Sequence, residues 1–339
     1  MESRYSRQLL FKHIGASGQK HLSDAKVAII GCGALGSAIA ETLVRSGVGT
    51  IHIADRDYVE LSNIQRQQLF TEEDAVEMLP KVVAAEKRLK SINSNIVLHT
   101  YLQNVDYTQI EYLAARVDVI MDATDNFETR QLINDAAYKH NIPWIYGACV
   151  GSSGVIFPFI PKQTACFRCL LPVLPTVNET CDTVGIISPA VQITAATQCT
   201  EALKLLTGND GAIRSKVHHF DCWNNTFLDI GISKLKKETC ETCGEHATYP
   251  SLERDQQSQY AVLCGRDAVQ VLPSPGRKVT LQDAEKLTKS INAFKRRTPY
   301  FVEFQREQHR MVLFADGRLL IHGIKDVNLG RRLYTEIFG

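Results

Sequence analysis

Two cysteine pairs, Cys166-x-x-Cys169 and Cys240-x-x-Cys243, sit about seventy residues apart and could close four thiolates around one tetrahedral zinc ion. A site with no histidine ligand and no vacant position is structural, and its binding free energy would clamp the segment ending near His246 onto the body of the domain. The competing reading, two redox couples, needs a pair that opens a helix in a thioredoxin-like setting, which neither pair does. A second set of residues suits phosphate chemistry. The strand Val27-Ala28-Ile29-Ile30 feeds Gly31-Cys32-Gly33-Ala34-Leu35-Gly36 into a helix. This G-x-G-x-x-G arrangement supplies a tight turn, a close backbone approach to phosphate and the unpaired amides of a helix N-terminus. Asp55, about twenty residues beyond the loop at the end of a second strand, is placed to accept hydrogen bonds from ribose hydroxyls.

Arg66, Lys81 and Asp125 extend the phosphate-handling set. Lys81 follows Pro80 at a helix N-terminus, where a cation opposes the helix dipole and signals an anion nearby. Asp122-Ala123-Thr124-Asp125-Asn126 follows a buried strand, so Asp125 lies at the carboxyl edge of a parallel sheet, where open α/β sheets bind ligands. A carboxylate there, beside a triphosphate, suits Mg²⁺. The plainer readings are that Asp122 is a turn residue, that Asp125 caps the helix from Asn126, and that Arg66 and Lys81 are solvated charges. The glycine loop alone fits a dehydrogenase as well as an ATP user.

These groups need a framework, and the sequence spells one out. Helices are expected over Ser6–Ile14, Leu35–Ser46 with Gly47 as its left-handed cap, Pro80–Lys90, Gln109–Ala115 and Asn126–His140. Between them run strands at Ile96–Tyr101, Val117–Met121 and Pro143–Tyr146. Such alternation predicts a Rossmann-like, doubly wound, mainly parallel sheet. From Gly151 the pattern turns to extended segments at Val155–Ile160, Val217–Asp221 and Thr226–Ile230, an antiparallel extension around one long helix, Pro189–Leu206, with Ser188 as its N-cap. The polar, Pro-rich stretch Pro172–Asp182 reads as a mobile loop, where binding residues concentrate. Residues 1–250 thus form one α/β domain. Residues 251–339 form a small α+β domain with strands near Ala261–Leu263, Tyr300–Phe304, Met311–Phe314 and Leu319–Ile321, the last pair joined by an Asp316-Gly317 hairpin turn.

A hydrophobic content of 44%, a charged content of 22% and a net charge of +1 describe an ordinary globular chain without the basic excess of a non-specific nucleic-acid binder. No apolar run approaches membrane-spanning length and Met1–Tyr5 lacks a signal-peptide core, so a cytoplasmic protein is expected. Cys32, Cys149 and Cys199 lie in apolar surroundings and are expected in the core, and Cys264 is expected to be structural.

Taken together, Gly31-Cys-Gly-Ala-Leu-Gly36, Asp55-Arg-Asp57, Ser62-Asn-Ile-Gln-Arg-Gln67, Lys81, Thr124-Asp-Asn126 and both cysteine knuckles resemble the E1-like adenylyltransferases of the ThiF/MoeB/HesA family. The resemblance covers about residues 4–247. It implies ATP in the glycine loop and adenylation of the C-terminal Gly-Gly carboxylate of a ubiquitin-like sulfur carrier, for thiamine thiazole synthesis or, alternatively, molybdopterin synthesis. It further implies that Asp55 holds the ribose, that Asn63, Arg66 and Lys81 bind phosphates, and that Asp125 binds Mg²⁺, with Asp57, Gln67 and Asn126 also at the nucleotide. Arg7 in Tyr5-Ser6-Arg7-Gln8 would reach the triphosphate of a partner subunit, which makes the protein a homodimer. Cys181 resembles the family cysteine that in some members links covalently to the carrier, and a sulfurtransferase or cysteine desulfurase would be a further partner. The tail lacks the persulfide-forming loop of two-domain relatives and resembles tails of some thiamine-pathway members. Readings of other kinds are a tRNA threonylcarbamoyladenosine dehydratase, which shares the ATP site, and an NAD-dependent oxidoreductase, which leaves Arg66 and Lys81 without a use.

Overall fold

The structure is a computed structural model, and it describes residues 3–173, 184–253, 260–263, 268–272 and 279–338. The chain divides into two compact units. In the first, helices α1 (Ser6–Leu9) and α2 (Gly15–Asp24) precede β1 (Lys26–Ile30), α3 (Ala34–Ser46) and β2 (Thr50–Asp55). Next come α4 (Glu72–Glu77), α5 (Lys81–Ile92), β3 (Val97–Leu102), α6 (Tyr107–Ala114), β4 (Val119–Asp122) and α7 (Phe127–His140). The unit continues through β5 (Trp144–Val150), β6 (Ser153–Phe159), α8 (Phe167–Leu170), α9 (Ser188–Leu206), β7 (Lys216–Asp221) and β8 (Thr226–Gly231).

These eight strands form one sheet in the order β3-β2-β1-β4-β5-β6-β7-β8. The β3 to β5 half is parallel and the β6 to β8 half antiparallel, as the alternating and then extended patterns imply. Val27 to Ile30 are buried on both faces, which is why β1 reads as an unbroken apolar run. Its two faces carry two cores: Val27 and Ile29 pack with α3 and α9, Ala28 and Ile30 with α6 and α7. Strand order reverses on either side of β1, so the crevice at the carboxyl ends of β1 and β4 is where this topology offers a ligand site. Gly47 closes α3 with φ +84°, as its position after the helix predicts.

Two helix expectations are corrected. The helix expected over Ser6–Ile14 stops at Leu9, and the chain turns and restarts as α2, whose Gly-Ala-Ser-Gly opening carries little helical signal. A Cβ on Gly18 would lie 3.2 Å from the Thr207 methyl and 3.3 Å from that of Ile14, a tight fit to which those side chains would have to yield. Ser188 is the first residue of α9, not its cap; Ile187 holds the cap position and donates its N–H to Gly151 O (3.0 Å). Of the cysteines expected in the core, Cys32 and Cys199 are buried, while Cys149 at the end of β5 is half-buried. Cys181 and Cys264 lie outside the described residues.

The second unit is a six-stranded antiparallel sheet, ordered β11-β12-β13-β14-β10-β9. Its elements are β9 (Tyr260–Leu263), β10 (Ala268–Val271), α10 (Leu281–Ser290), β11 (Phe294–Arg297), β12 (Phe301–Arg306), β13 (His309–Phe314), β14 (Leu319–His322) and α11 (Val327–Phe338). Val302, Phe304, Met311, Leu313, Leu319 and Ile321 alternate onto the face that α11 covers with Leu333 and Phe338. The Asp316-Gly317 turn forms as expected, with Gly317 at φ +88° and Arg318 N donating to Asp316 Oδ1 (3.0 Å). β10 and β11 are not among the strands expected from the sequence; β11, Phe294-Lys-Arg-Arg297, is an edge strand dominated by charge. Among the described residues no helix is long and apolar enough to cross a membrane.

Candidate functional site

The three loop glycines have different reasons to be glycine. Gly31 turns out of β1 at φ +96°, and a Cβ there would lie 2.4 Å from Ala123 O; a Cβ on Gly36 would lie 2.0 Å from Gly31 O. The chain's own packing forbids a side chain at both. Gly33, at φ −82°, would put a Cβ no nearer than 3.8 Å from any neighbouring atom, that atom being Gln67 Nε2. Packing leaves room beside Gly33, an open cradle at the start of α3, and its backbone at φ −82° and ψ −142° lies outside the regions that L-residues favour. Ser37 N donates to Gly33 O (3.0 Å), and the helix's preceding amides have no intrahelical acceptor.

Around this cradle stand most of the residues singled out from the sequence. Asp55 accepts from Cys32 N through Oδ2 (2.6 Å) and from Asp57 N through Oδ1 (2.7 Å), tying the end of β2 to the glycine loop. Burial pushes the Asp55 carboxyl above its usual range, Lys81 opposes that rise and Asp57 adds to it. Lys81 is 5% exposed, its Nζ 3.5 Å from Asp57 Oδ2 and its N–H donating to Asp57 O (2.8 Å). A buried lysine at the first turn of α5 therefore shares its nearest carboxylate with the edge of the site, rather than being the solvated charge of the plainer reading. Asn63 is buried and accepts from Glu60 N through Oδ1 (3.1 Å), and Arg66 donates from Nη1 to Ser62 O (3.0 Å). Gln67 is 4% exposed, and its Oε1 accepts no hydrogen bond among the described residues.

Asp125 does not cap α7. Asn126 does, accepting from Thr129 N (2.9 Å), and Asp125 is left exposed at the carboxyl edge with Asn126 Nδ2 3.3 Å from its Oδ1. Asp122 makes the turn bond to Thr124 N (2.9 Å) expected of it, but it is also fully buried and paired with Arg130 Nε (3.1 Å). Neither Arg130 nor Gln198, whose Nε2 donates to Asp122 O (2.8 Å), was picked out from the sequence. The signal available was a glutamine in the middle of the largely apolar helix α9, on its buried face.

Arg7 is not brought to this site. Its neighbours are anchored elsewhere: Asn93 Nδ2 donates to Tyr5 OH (2.9 Å) and Gln8 Nε2 to Ser46 O (2.9 Å). Those contacts place the exposed Arg7 at the C-terminal end of the thirteen-residue α3, a full helix length from the glycine loop. At 1.5 Å per residue that is about 20 Å.

The cysteine knuckles do meet. The Sγ atoms of Cys166, Cys169, Cys240 and Cys243 all lie within 4.8 Å of one another, with Cys166 to Cys240 at 3.5 Å and Cys169 to Cys243 at 3.6 Å. These separations exceed a disulfide bond and approach the roughly 3.8 Å edge of a tetrahedron built on metal–sulfur bonds of about 2.3 Å. The cluster is fastened to α7: buried Asp135 accepts from Arg168 Nη2 (3.1 Å), Ser251 N (2.9 Å) and the Thr242 hydroxyl, and Asn134 accepts from Phe167 N (2.9 Å).

Comparison with known proteins agrees with this arrangement. The ThiF family model matches residues 5–242. The chain is 46% identical over 339 residues to a protein of Bacillus subtilis (strain 168) named sulfur carrier protein ThiS adenylyltransferase, covering 100% of both chains. A protein of the same name from Escherichia coli (strain K12) is 41% identical over 242 residues, 71% of this chain and 94% of that one. Among solved structures, E. coli MccB with ATP is similar in fold, with a TM-score of 0.62 at 24% identity over 72% of this chain and 75% of that one. With the glycine cradle, the sheet order and these identities in agreement, the chain belongs to the ThiF family of E1-like adenylyltransferases.

Proposed function

We propose that the protein adenylates the C-terminal carboxylate of a small ThiS-like sulfur carrier with ATP, in the thiamine thiazole pathway. The carrier's carboxylate oxygen attacks the α-phosphorus of ATP, the bond to the bridging oxygen breaks, and pyrophosphate leaves. The observation that carries the reading is the open cradle at Gly33, at the start of α3, with the buried Gln67 side chain 3.8 Å from where a Cβ would stand. Relatives bearing the ThiS adenylyltransferase name support the carrier, and the Bacillus subtilis one matches this chain through its second unit as well.

In this reading the glycine-loop amides and the N-terminus of α3 receive phosphate oxygens, Asp55 and Asp57 hold the ribose end, and Gln67, Asn63 and Asn126 line the nucleotide. Lys81 and Arg66 neutralise charge that builds on the phosphates as the bond to pyrophosphate breaks. Asp125 would hold Mg²⁺, which supplies further charge neutralisation when bound. Cys166, Cys169, Cys240 and Cys243 would hold a structural zinc ion. Arg7, too distant from its own loop, serves the triphosphate of a partner subunit, so the enzyme acts as a homodimer. Cys181 is then available to take over the activated carrier.

The deciding experiment is ATP–pyrophosphate exchange with a ThiS-type and a molybdopterin-synthase-type carrier, each ending in Gly-Gly. Exchange that depends on the ThiS-type carrier is expected. Exchange with the second carrier alone would move the enzyme to the other pathway, and exchange with neither would remove the proposal.

A further inference from the structure

The hydrogen-bonded ladder between β4 and β5 ends at Met121 and Ile145. Beyond that point side chains replace backbone amides as rungs. Gln198 Nε2 donates to both Asp122 O (2.8 Å) and Ile145 O (3.1 Å), one carbonyl from each strand. One step further out, Arg130 Nη2 does the same for Thr124 O (2.8 Å) and Gly147 O (3.5 Å). Arg130 Nε pairs with Asp122 Oδ2 (3.1 Å), and the other oxygen of that carboxylate receives Thr124 N (2.9 Å) and Thr124 Oγ1 (2.6 Å). The guanidinium carbon lies 5.2 Å from the Tyr146 ring centre and 5.5 Å from that of Phe127.

The turn that presents Asp125 is therefore gripped from behind. Its two preceding polar groups, the Asp122 carboxylate and the Thr124 carbonyl, both end on one arginine. Arg130 is 7% exposed and Asp122 fully buried. An ion pair at such depth is no efficient source of stability, because well-packed apolar residues often replace one without loss. What it does supply is a fixed geometry, since a planar guanidinium sets several acceptors at once.

We infer that Arg130 is a positioning residue for Asp125: in place of missing backbone rungs it fixes the turn from Asp122 to Asp125 and so holds the Asp125 carboxylate at one place on the sheet edge. The inference rests on the reading of Asp125 as the Mg²⁺ ligand. Arg130→Lys keeps the charge but cannot make the forked contacts. In the full-length enzyme this variant should speed amide hydrogen exchange at Thr124, whose N–H is held by Asp122 Oδ1, at least about tenfold. It should also raise the half-saturating Mg²⁺ concentration for ATP–pyrophosphate exchange roughly 10- to 100-fold, the range seen when a group orienting a metal ligand is removed. ATP dependence at saturating Mg²⁺ should change little. Should Arg130→Lys fold poorly, the double variant Asp122→Asn/Arg130→Gln removes both buried charges while still losing the grip on Thr124, and should give the same two effects.

Wild-type amide exchange in a folded variant would overturn the inference, and so would a loosened turn with unchanged Mg²⁺ dependence. A loosened turn in the variant, together with a wild-type enzyme that shows no carrier-dependent exchange, would leave the grip on the turn established and remove the adenylation reading instead.

Discussion

Replacing Gly33 by alanine tests the placement of phosphate beside the loop. The added Cβ would stand 3.8 Å from Gln67 Nε2, ordinary van der Waals contact, so no clash opposes it. The backbone there, at φ −82° and ψ −142°, is one that L-residues rarely adopt, so the substitution should cost on the order of 1 kcal/mol of stability in strain. Gly36→Ala is the contrast. Its Cβ would overlap Gly31 O at 2.0 Å and Gly31 C at 2.8 Å, with Ala123 Cβ at 3.3 Å and nothing flexible to yield. That should cost about 3 kcal/mol or more, the upper range of overpacking. ATP affinity should fall for a separate reason. A phosphate oxygen within about 2.9 Å of a loop amide would meet the new methyl group, so at least one charge-assisted hydrogen bond is lost or lengthened. At about 1.5–3 kcal/mol for such a bond, ATP should bind roughly 10- to 150-fold more weakly. Calorimetric titration with ATP and thermal melts of the same samples check both halves. A Gly33→Ala enzyme that binds ATP as tightly as the wild type would refute the placement of phosphate in this cradle.

Three further outcomes are expected. Arg7→Ala and Lys81→Ala enzymes should each be inactive alone but recover about a quarter of wild-type exchange activity when their subunits are mixed equally, since half the dimers then carry one intact composite site of two; no recovery on mixing would put Arg7 and Lys81 in the same subunit's site, or Arg7 in none. Elemental analysis should find one zinc per chain, absent in Cys240→Ser, whose melting temperature falls; unchanged zinc in that variant would mean that the metal sits elsewhere. Burial, then His99, Lys26 and Arg116, lower His52 from 6.5 to about 4. A depressed folded-state value means that this contribution to stability is present above pH 6.5 and lost as the pH falls through 4. The melting-temperature advantage of the wild type over His52→Gln should therefore shrink across that window, and an advantage independent of pH would show that His52 does not titrate in this way.

Much of this arrangement was legible because it is written locally. A strand, a glycine loop and a helix are contiguous, so the crevice could be read from Val27 to Ser46, and two C-x-x-C pairs announce their own meeting. What escaped depends on distant pieces. Arg130 and Gln198 matter because β4 and β5 splay after Met121 and Ile145, and no spacing in the sequence records where a ladder stops. The glycine fingerprint also concealed a distinction: Gly31 and Gly36 serve packing, while Gly33 alone leaves space, a difference visible only once Ala123 and Gln67 are in place. α2 escaped because its glycines weaken the helical signal.

The four-cysteine cluster joins residues 74 apart in the chain, and Asp135 waits still longer for Ser251, 116 residues downstream. On a ribosome adding about 5–20 residues per second, Cys166 emerges on the order of 4–15 s before Cys240. For that interval the nascent chain holds the thiols of Cys166 and Cys169 without those of Cys240 and Cys243, and Asp135 with Arg168 but without Thr242 and Ser251. Completion of this unit during synthesis is thus set by the arrival of its last segment, and oxidants or stray metal ions have their best access to the protein in those seconds.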